Sequence, residues 1–333
     1  MSASGTVVGG YAARVAAPRA LITGIGGQDG SYLAEQLVDG GHEVIGMVRP
    51  PLDRPQPNLQ GLGGRYTLVP GDLQDAGSLR RALEEARPDV LFHLAAPTFV
   101  PDSWTDPTAT MSAIAGSTAA LLAAVLASWP HTRVVVATSA EIFGDAGESP
   151  QHERSPMRPL SPYGVAKLAA HGLVVTMREH HGLHASSAIT FNHESPRRPV
   201  QFLPRKVTRG VAQIKLGLAQ ELVLGDLSAI RDWCDARDIV TGLRLMAAAD
   251  DPGDYVLASG VSRTVQDLVD AAFSAAGVDP AGRVRVDPAF VRSPEATQPL
   301  GDPTLARERL GWTAQIPFEQ TIADMLAADL VSG

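Results

Sequence analysis

Seven residues, Gly24-Ile25-Gly26-Gly27-Gln28-Asp29-Gly30, separate the apolar run Ala20-Leu21-Ile22-Thr23 from Ser31 to Val38, a stretch with Leu33 and Leu37 on one helical face. Glycines at this G-x-x-G-x-x-G spacing let the backbone turn tightly and pass close to an anion, while the N–H groups opening the next helix face it. A glycine triplet alone is common turn punctuation. Between a strand and a helix at the start of a fold it points to a dinucleotide pyrophosphate, with Gly24, Gly27, Gln28, Asp29 and Gly30 as the contact residues.

The rest of the chain repeats that strand-then-helix rhythm. Glu43 to Val48, Tyr66 to Val69, Val90 to Leu94, Val134 to Ala137 and Ala185 to Ile189 read as strands, and Ala76 to Ala86, Thr108 to Ser128 and Pro162 to His180 as helices. Such alternation predicts βαβ units and a doubly wound parallel sheet, an α/β fold of the Rossmann type. The unbroken Val134-Val135-Val136 suits a strand covered on both faces. After Phe191, Pro and Arg become frequent and the rhythm loosens. The expected organisation is an extension over 1–18 that is poorly ordered, a dinucleotide-binding domain over 19–190, and a smaller, mainly substrate-binding lobe over 191–333, part of which returns to the first domain.

The 333 residues carry a net charge of -8, which argues against a nucleic-acid surface because such a surface needs basic excess. The single cysteine, Cys234, excludes an internal disulfide or a cysteine metal cluster and fits a reducing cytoplasm. The apolar runs read as too short and too interrupted for a membrane span, and the N-terminus lacks the pattern of a signal peptide.

Further candidates lie at strand ends. The second strand ends in Met47-Val48-Arg49, where an acid would hold the ribose of NAD and an Arg can take the extra phosphate of NADP. Arg49 therefore favours NADP, with NAD as the other possibility. Asp72, in Gly71-Asp72-Leu73, suits either the adenine or the capping of its own turn. In Ser161-Pro162-Tyr163-Gly164-Val165-Ala166-Lys167, Ser161 reads as an N-cap and Pro162 as the first helical residue, which puts Tyr163 and Lys167 on one helix face. A neighbouring ammonium is expected to stabilise the phenolate and lower the Tyr163 pKa. Ser139, closing the fifth strand, can hold a hydroxyl beside that phenol, and Glu141, two residues on, is a candidate base for a carbon acid.

Together these residues resemble the extended short-chain dehydrogenase/reductase superfamily and, within it, the GDP-mannose 4,6-dehydratase family. The similar segments include Leu21 to Leu33, Phe99-Val100 with Ser103-Trp104, Ser161 to Lys167, Arg231-Asp232-Trp233 and Leu310-Gly311-Trp312. The most specific is Phe191-Asn192-His193-Glu194-Ser195-Pro196-Arg197-Arg198. The resemblance implies a dehydration in which the cofactor is recycled. Tyr163, with Lys167 and Ser139, takes the proton of the sugar 4-hydroxyl while hydride passes to NADP. Glu141 removes the acidified proton at position 5, water leaves from position 6, and hydride returns there. The resemblance also implies contacts of Tyr163, Lys167, Asp72 and Leu73 with the cofactor, and of Thr98, Asn192, Lys206, Arg231, Arg292 and Glu295 with a nucleotide-sugar substrate.

Several positions depart from the family pattern. Ser139 replaces Thr, Arg49-Pro50 replaces paired arginines, Pro97-Thr98 replaces Gln-Ser and Cys234 replaces Gly, and the chain is short between Ala276 and Val284. The nucleotide and sugar therefore stay open. A 4-keto-6-deoxyhexose reductase, a nucleotide-sugar epimerase and a non-catalytic dinucleotide sensor are the alternatives. The superfamily implies a homodimer or homotetramer built on Thr108 to Ser128 and Pro162 to His180. No metal site is expected from the His spacing, His193 is assigned no catalytic role, and the four Trp read as packing residues.

Overall fold

The computed structural model describes residues 17–290 and 297–332. Of the N-terminal extension, 1–16 lies outside the described residues, and Pro18 is already tied to the sheet, its carbonyl accepting from the Glu43 N–H.

In chain order the first half runs β1 (Arg19–Thr23), α1 (Gln28–Asp39), β2 (Glu43–Val48), β3 (Thr67–Pro70), α2 (Ala76–Ala86), β4 (Val90–His93), α3 (Asp102–Thr105), α4 (Pro107–Met111), α5 (Ser117–Ser128), β5 (Arg133–Ala137), α6 (Pro162–His181) and β6 (Ala185–Thr190). The second half follows with β7 (Asn192–Glu194), α7 (Leu203–Lys215), β8 (Leu222–Leu224), β9 (Ile230–Asp235), α8 (Ala236–Ala248), β10 (Asp254–Leu257), β11 (Ser262–Thr264), α9 (Val265–Ala276), β12 (Val284–Val286), α10 (Thr304–Leu310) and α11 (Phe318–Ser332).

Seven parallel strands form one sheet in the order β10-β6-β5-β4-β1-β2-β3. Apolar side chains on both faces explain why a strand such as β5 reads as a continuous apolar run. On one face Ile22, Phe92 and Val135 pack with Leu33 and Leu37 of α1 and Leu243 and Met246 of α8. On the other, Leu21, Leu91 and Val134 meet Leu83 of α2, Leu122 of α5 and Val174 of α6. A third core, with Val207, Leu268, Phe273, Ile322 and Met325, is built from α7, α9 and α11. β11, β9 and β7 form a separate three-stranded sheet.

The large sheet is completed from the second half. β10 pairs with β6, and Arg178 of α6 makes a two-pronged ion pair with Asp254 at its start, at 2.9 and 2.7 Å. The helix over 107–128 differs from expectation in two ways. It takes a wider π-turn at Ser112–Gly116, where Ser117 and Thr118 donate back to the Ile114 carbonyl. With 22 residues it is also long and apolar enough to cross a membrane, which corrects the reading that no run is. It packs against α2 and α6, and 44% of its most apolar window is buried.

Candidate active site

The C-terminal ends of the parallel strands converge on the glycine loop, where ligands bind in open α/β sheets. Gly24 has φ +75, and a Cβ there would come within 3.0 Å of the Ala95 backbone, so both the turn and the close approach require glycine. A Cβ on Gly30 would lie 2.7 Å from the Ile25 Cα, so this glycine lets α1 pack onto the loop. Gly27 is the N-cap of α1 and supplies no side-chain cap. The first N–H groups of the helix are thus left for a ligand anion.

Gln28 and Asp29, in the first turn of α1, are engaged by the string that follows β6. Ser195 donates to Gln28 Oε1 at 2.8 Å, and the Gln28 amide donates to the His193 carbonyl at 3.2 Å. His193 Nε2 lies 3.0 Å from Asp29 Oδ2. Burial alone would raise the Asp29 carboxyl, but the charge and hydrogen bond of His193, the Gln28 amide and Arg198 outweigh it and bring the pKa down to about 2. Burial disfavours the His193 cation, yet Asp29 raises it above the ordinary histidine value. Arg197 extends the clasp, donating to Ser31 and Glu35 and stacking over Tyr32 at 3.8 Å. Arg198 Nε is 3.2 Å from the buried Glu194 carboxylate, a charge contact in which neither atom makes a hydrogen bond, and its guanidinium covers the Phe202 ring. His193 and Arg198 thus belong to the site, although the sequence reading gave neither a role. The signal was present in the rare spacing of the string, but its contacts join residues more than 160 positions apart and could not be read locally.

α6 opens as its sequence predicts. The Ser161 side chain accepts from the Gly164 N–H at 3.0 Å, and Pro162 takes the first helical position. Tyr163 and Lys167 are both buried, one turn apart. The Lys167 Nζ donates to the Ala137 carbonyl at 2.6 Å and lies 5.8 Å from the Tyr163 ring centroid. The expected acidification of the phenol is not what this geometry gives. Burial pushes Tyr163 up to about 12; a hydrogen bond with Ser139 pulls the other way, and the Glu141 anion adds to the rise. Lys167 is brought down to about 8, again by burial.

Ser139 caps a single turn, Ala140–Ile142, and accepts from the Glu141 N–H. Glu141 is exposed, and its charge reaches Tyr163. Gly164 explains their proximity, since a Cβ there would lie 2.6 Å from the Glu141 carbonyl oxygen. The structure therefore brings Ser139, Glu141, Tyr163 and Lys167 together beside the glycine loop.

The remaining candidates are spread around this centre. Arg49 is exposed at the end of β2. Asp72 caps its own turn by accepting from the Gln74 N–H at 2.9 Å, and Leu73 packs at the margin of the core beneath α2. Thr98 is exposed after β4. Asn192 and Arg231 stand on β7 and β9 of the three-stranded sheet, Asn192 opposite Trp233. Lys206, on α7, lies 4.9 Å from the Phe290 ring centroid. Arg292 and Glu295 lie outside the described residues.

The profile of the family described as GDP-mannose 4,6 dehydratase matches residues 21–325. The chain belongs to that family. A GDP-mannose 4,6-dehydratase of Vibrio cholerae is 38% identical over 347 aligned residues, covering 93% of each chain. Among solved structures, a putative epimerase of Burkholderia cenocepacia superposes with a TM-score of 0.83 at 28% identity, covering 94% of this chain and 98% of its own. MoeE5, solved with UDP-glucose and NAD, gives a TM-score of 0.78 at 26% identity, covering 94% and 99%. In this member of the family Ser139 and Tyr163 share a hydrogen bond, the Glu141 charge reaches that phenol, and Lys167 lies one helical turn away.

Proposed function

We propose that the chain catalyses the 4,6-dehydration of GDP-mannose to the 4-keto-6-deoxy sugar, with NADP recycled within each turnover. The observation that carries this reading is the convergence of Glu141 with Ser139 and Tyr163. A reductase or an epimerase needs the phenol and the ammonium, but neither needs a carboxylate beside them. Kinship of nearly the whole chain with proteins named for this reaction supports the substrate, and a solved relative holding UDP-glucose and NAD supports a nicotinamide cofactor and a nucleotide-sugar.

The residues fit a dinucleotide: glycine without a Cβ at the loop, an uncapped helix start, and Arg49 where an acid would otherwise favour NAD. When bound, the nicotinamide supplies a cationic hydride acceptor that later returns the hydride. Ser139 orients the sugar 4-hydroxyl, and Tyr163 moves its proton. Glu141 removes the proton at position 5 once the neighbouring ketone acidifies it, the hydroxyl at position 6 leaves as water with a proton, and a proton returns to position 5 as position 6 is reduced. Asn192, Lys206 and Arg231 hold the nucleotide diphosphate and sugar from the second half of the chain, with Arg292 and Glu295 as further contacts. That half acts as the substrate lobe, and the first 190 residues act as the cofactor domain.

The assembly supported is a homodimer. Trp104, Met111, Leu160 and Val165 line an apolar recess of about 590 Å³ beside the starts of α4 and α6, and all four are exposed. A self-complementary contact of those helices would cover it. The buried single thiol of Cys234 suits a cytoplasmic enzyme.

Incubation with GDP-mannose and catalytic NADP tests the reading by mass spectrometry. The expected product is lighter by one water, with no net cofactor reduction. A product of unchanged mass would make the enzyme an epimerase, and no product from GDP-mannose, with stoichiometric oxidation of NADPH when a 4-keto-6-deoxy sugar nucleotide is supplied instead, would make it a reductase.

A further inference from the structure

The third core joins α7 and α11 through apolar side chains, among them Val207, Val211, Ile322, Met325 and Leu326, yet each helix also buries a charge there. The Asp329 side chain is 2% exposed and that of Arg205 10%, and Arg205 Nε donates to Asp329 Oδ1 at 2.8 Å. Thr208, one turn beyond Arg205, donates to the other carboxylate oxygen at 2.7 Å. Taking two charges out of water costs about as much as their attraction returns, so an apolar pair of similar volume would hold these helices as well or better. Cohesion of the core therefore does not account for the pair.

Its geometry reaches further than the two helices. Arg205 Nη1 donates to the Pro196 carbonyl, so one guanidinium holds the α11 carboxylate and the string after β7 at once. Pro196 is flanked by two side chains that grip α1, Ser195 on Gln28 and Arg197 on Ser31 and Glu35. The next residue of α7, Lys206, is exposed and stands 4.9 Å from the Phe290 ring centroid. The fork of Arg205 thus ties the first turn of α7, and Lys206 with it, to the segment that clasps the helix after the glycine loop.

We propose that Arg205 and Asp329 are positioning residues for the dehydration, the buried pair setting where the nucleotide-binding lobe stands relative to Tyr163 and Glu141. The inference rests on reading the second half of the chain as the substrate lobe. A nucleotide-sugar anchored at its diphosphate by one lobe and reacting at its hexose in the other carries any error between them to the reacting carbon. A misplacement near 1 Å costs on the order of a hundredfold in turnover. Apolar contact has no preferred direction and lets packed helices slide, whereas a planar guanidinium shared between two acceptors fixes both.

The test compares turnover of GDP-mannose with binding of GDP alone, a probe that needs only the lobe, and with melting of the full chain. Arg205→Met combined with Asp329→Leu makes the pair apolar and should melt no lower than the parent. Its turnover number should nevertheless fall by about tenfold or more, while GDP affinity by titration calorimetry holds within about threefold. Arg205→Lys keeps a cation for Asp329 but not the fork, and should show the same split between turnover and GDP binding. Parental turnover in either variant overturns the proposal, as does a loss of GDP affinity that matches the loss of turnover. A double variant melting well below the parent also overturns it, because the pair would then be required for cohesion. If the unaltered chain neither binds GDP nor dehydrates GDP-mannose, the substrate-lobe reading is refuted and this proposal falls with it.

Discussion

Lys167 is a charge where burial disfavours one, and that conflict has a measurable sign. Its folded pKa of about 8 lies below its ordinary 10.5, so between those values the unfolded chain binds more protons and stability rises with pH. Lys167→Met removes the buried ammonium, and the variant should exceed the parent in stability near pH 7 by on the order of 1–3 kcal/mol. The difference should shrink toward pH 10. Paired thermal melts across that range check it, and a constant difference would place the effect elsewhere. His193 makes the opposite case, a cation kept because Asp29 is beside it. Replacing it by Gln leaves the Asp29 anion uncompensated at the helix end that meets the cofactor. Cofactor binding, followed by titration, should weaken by about tenfold, and the unliganded chain should melt lower as well, because the largely buried Asp29 carboxylate has lost its charged partner.

At the level of elements, the start of α6 and the turn after β5 work as one unit because Gly164 lets them touch. Gly164→Ala would force the Glu141 backbone away from the helix, and a displacement near 1 Å costs about a hundredfold in turnover. Turnover number and cofactor affinity should therefore separate, the first falling steeply and the second holding within a few-fold. This junction was only half legible beforehand. Ser161, Pro162, Tyr163 and Lys167 could be placed on the helix because caps and i,i+4 spacing are local rules. The contact of Gly164 with Glu141 is not local, and neither is the clasp of His193, Ser195 and Arg197 on α1. Strands of the first half such as β5 were readable because a strand covered on both faces announces itself by a run of apolar residues, whereas β6, equally buried, interrupts its run with Ser186 and Ser187. The short strands β7, β9 and β11, with Asn192, Arg231 and Asp232 in them, carry no such run and depend on one another for their pairing.

For the whole molecule, the exposed recess beside α4 and α6 predicts a particular assembly defect. Val165 is 45% exposed and faces that recess, so Val165→Asp should abolish pairing without unfolding the chain. Size-exclusion chromatography with light scattering should then report a monomer where the parent reports a dimer. The sheet has a second consequence, which concerns how the chain comes into being. β6 reaches its outer neighbour only through β10, and Arg178 waits for Asp254 across that edge. Until residue 257 has left the ribosome, the nascent protein therefore displays an unpaired β edge of the kind that invites other chains to join it. Expression of the first 200 residues alone should yield aggregates, and synthesis of the intact protein should be most dependent on chaperones during that interval.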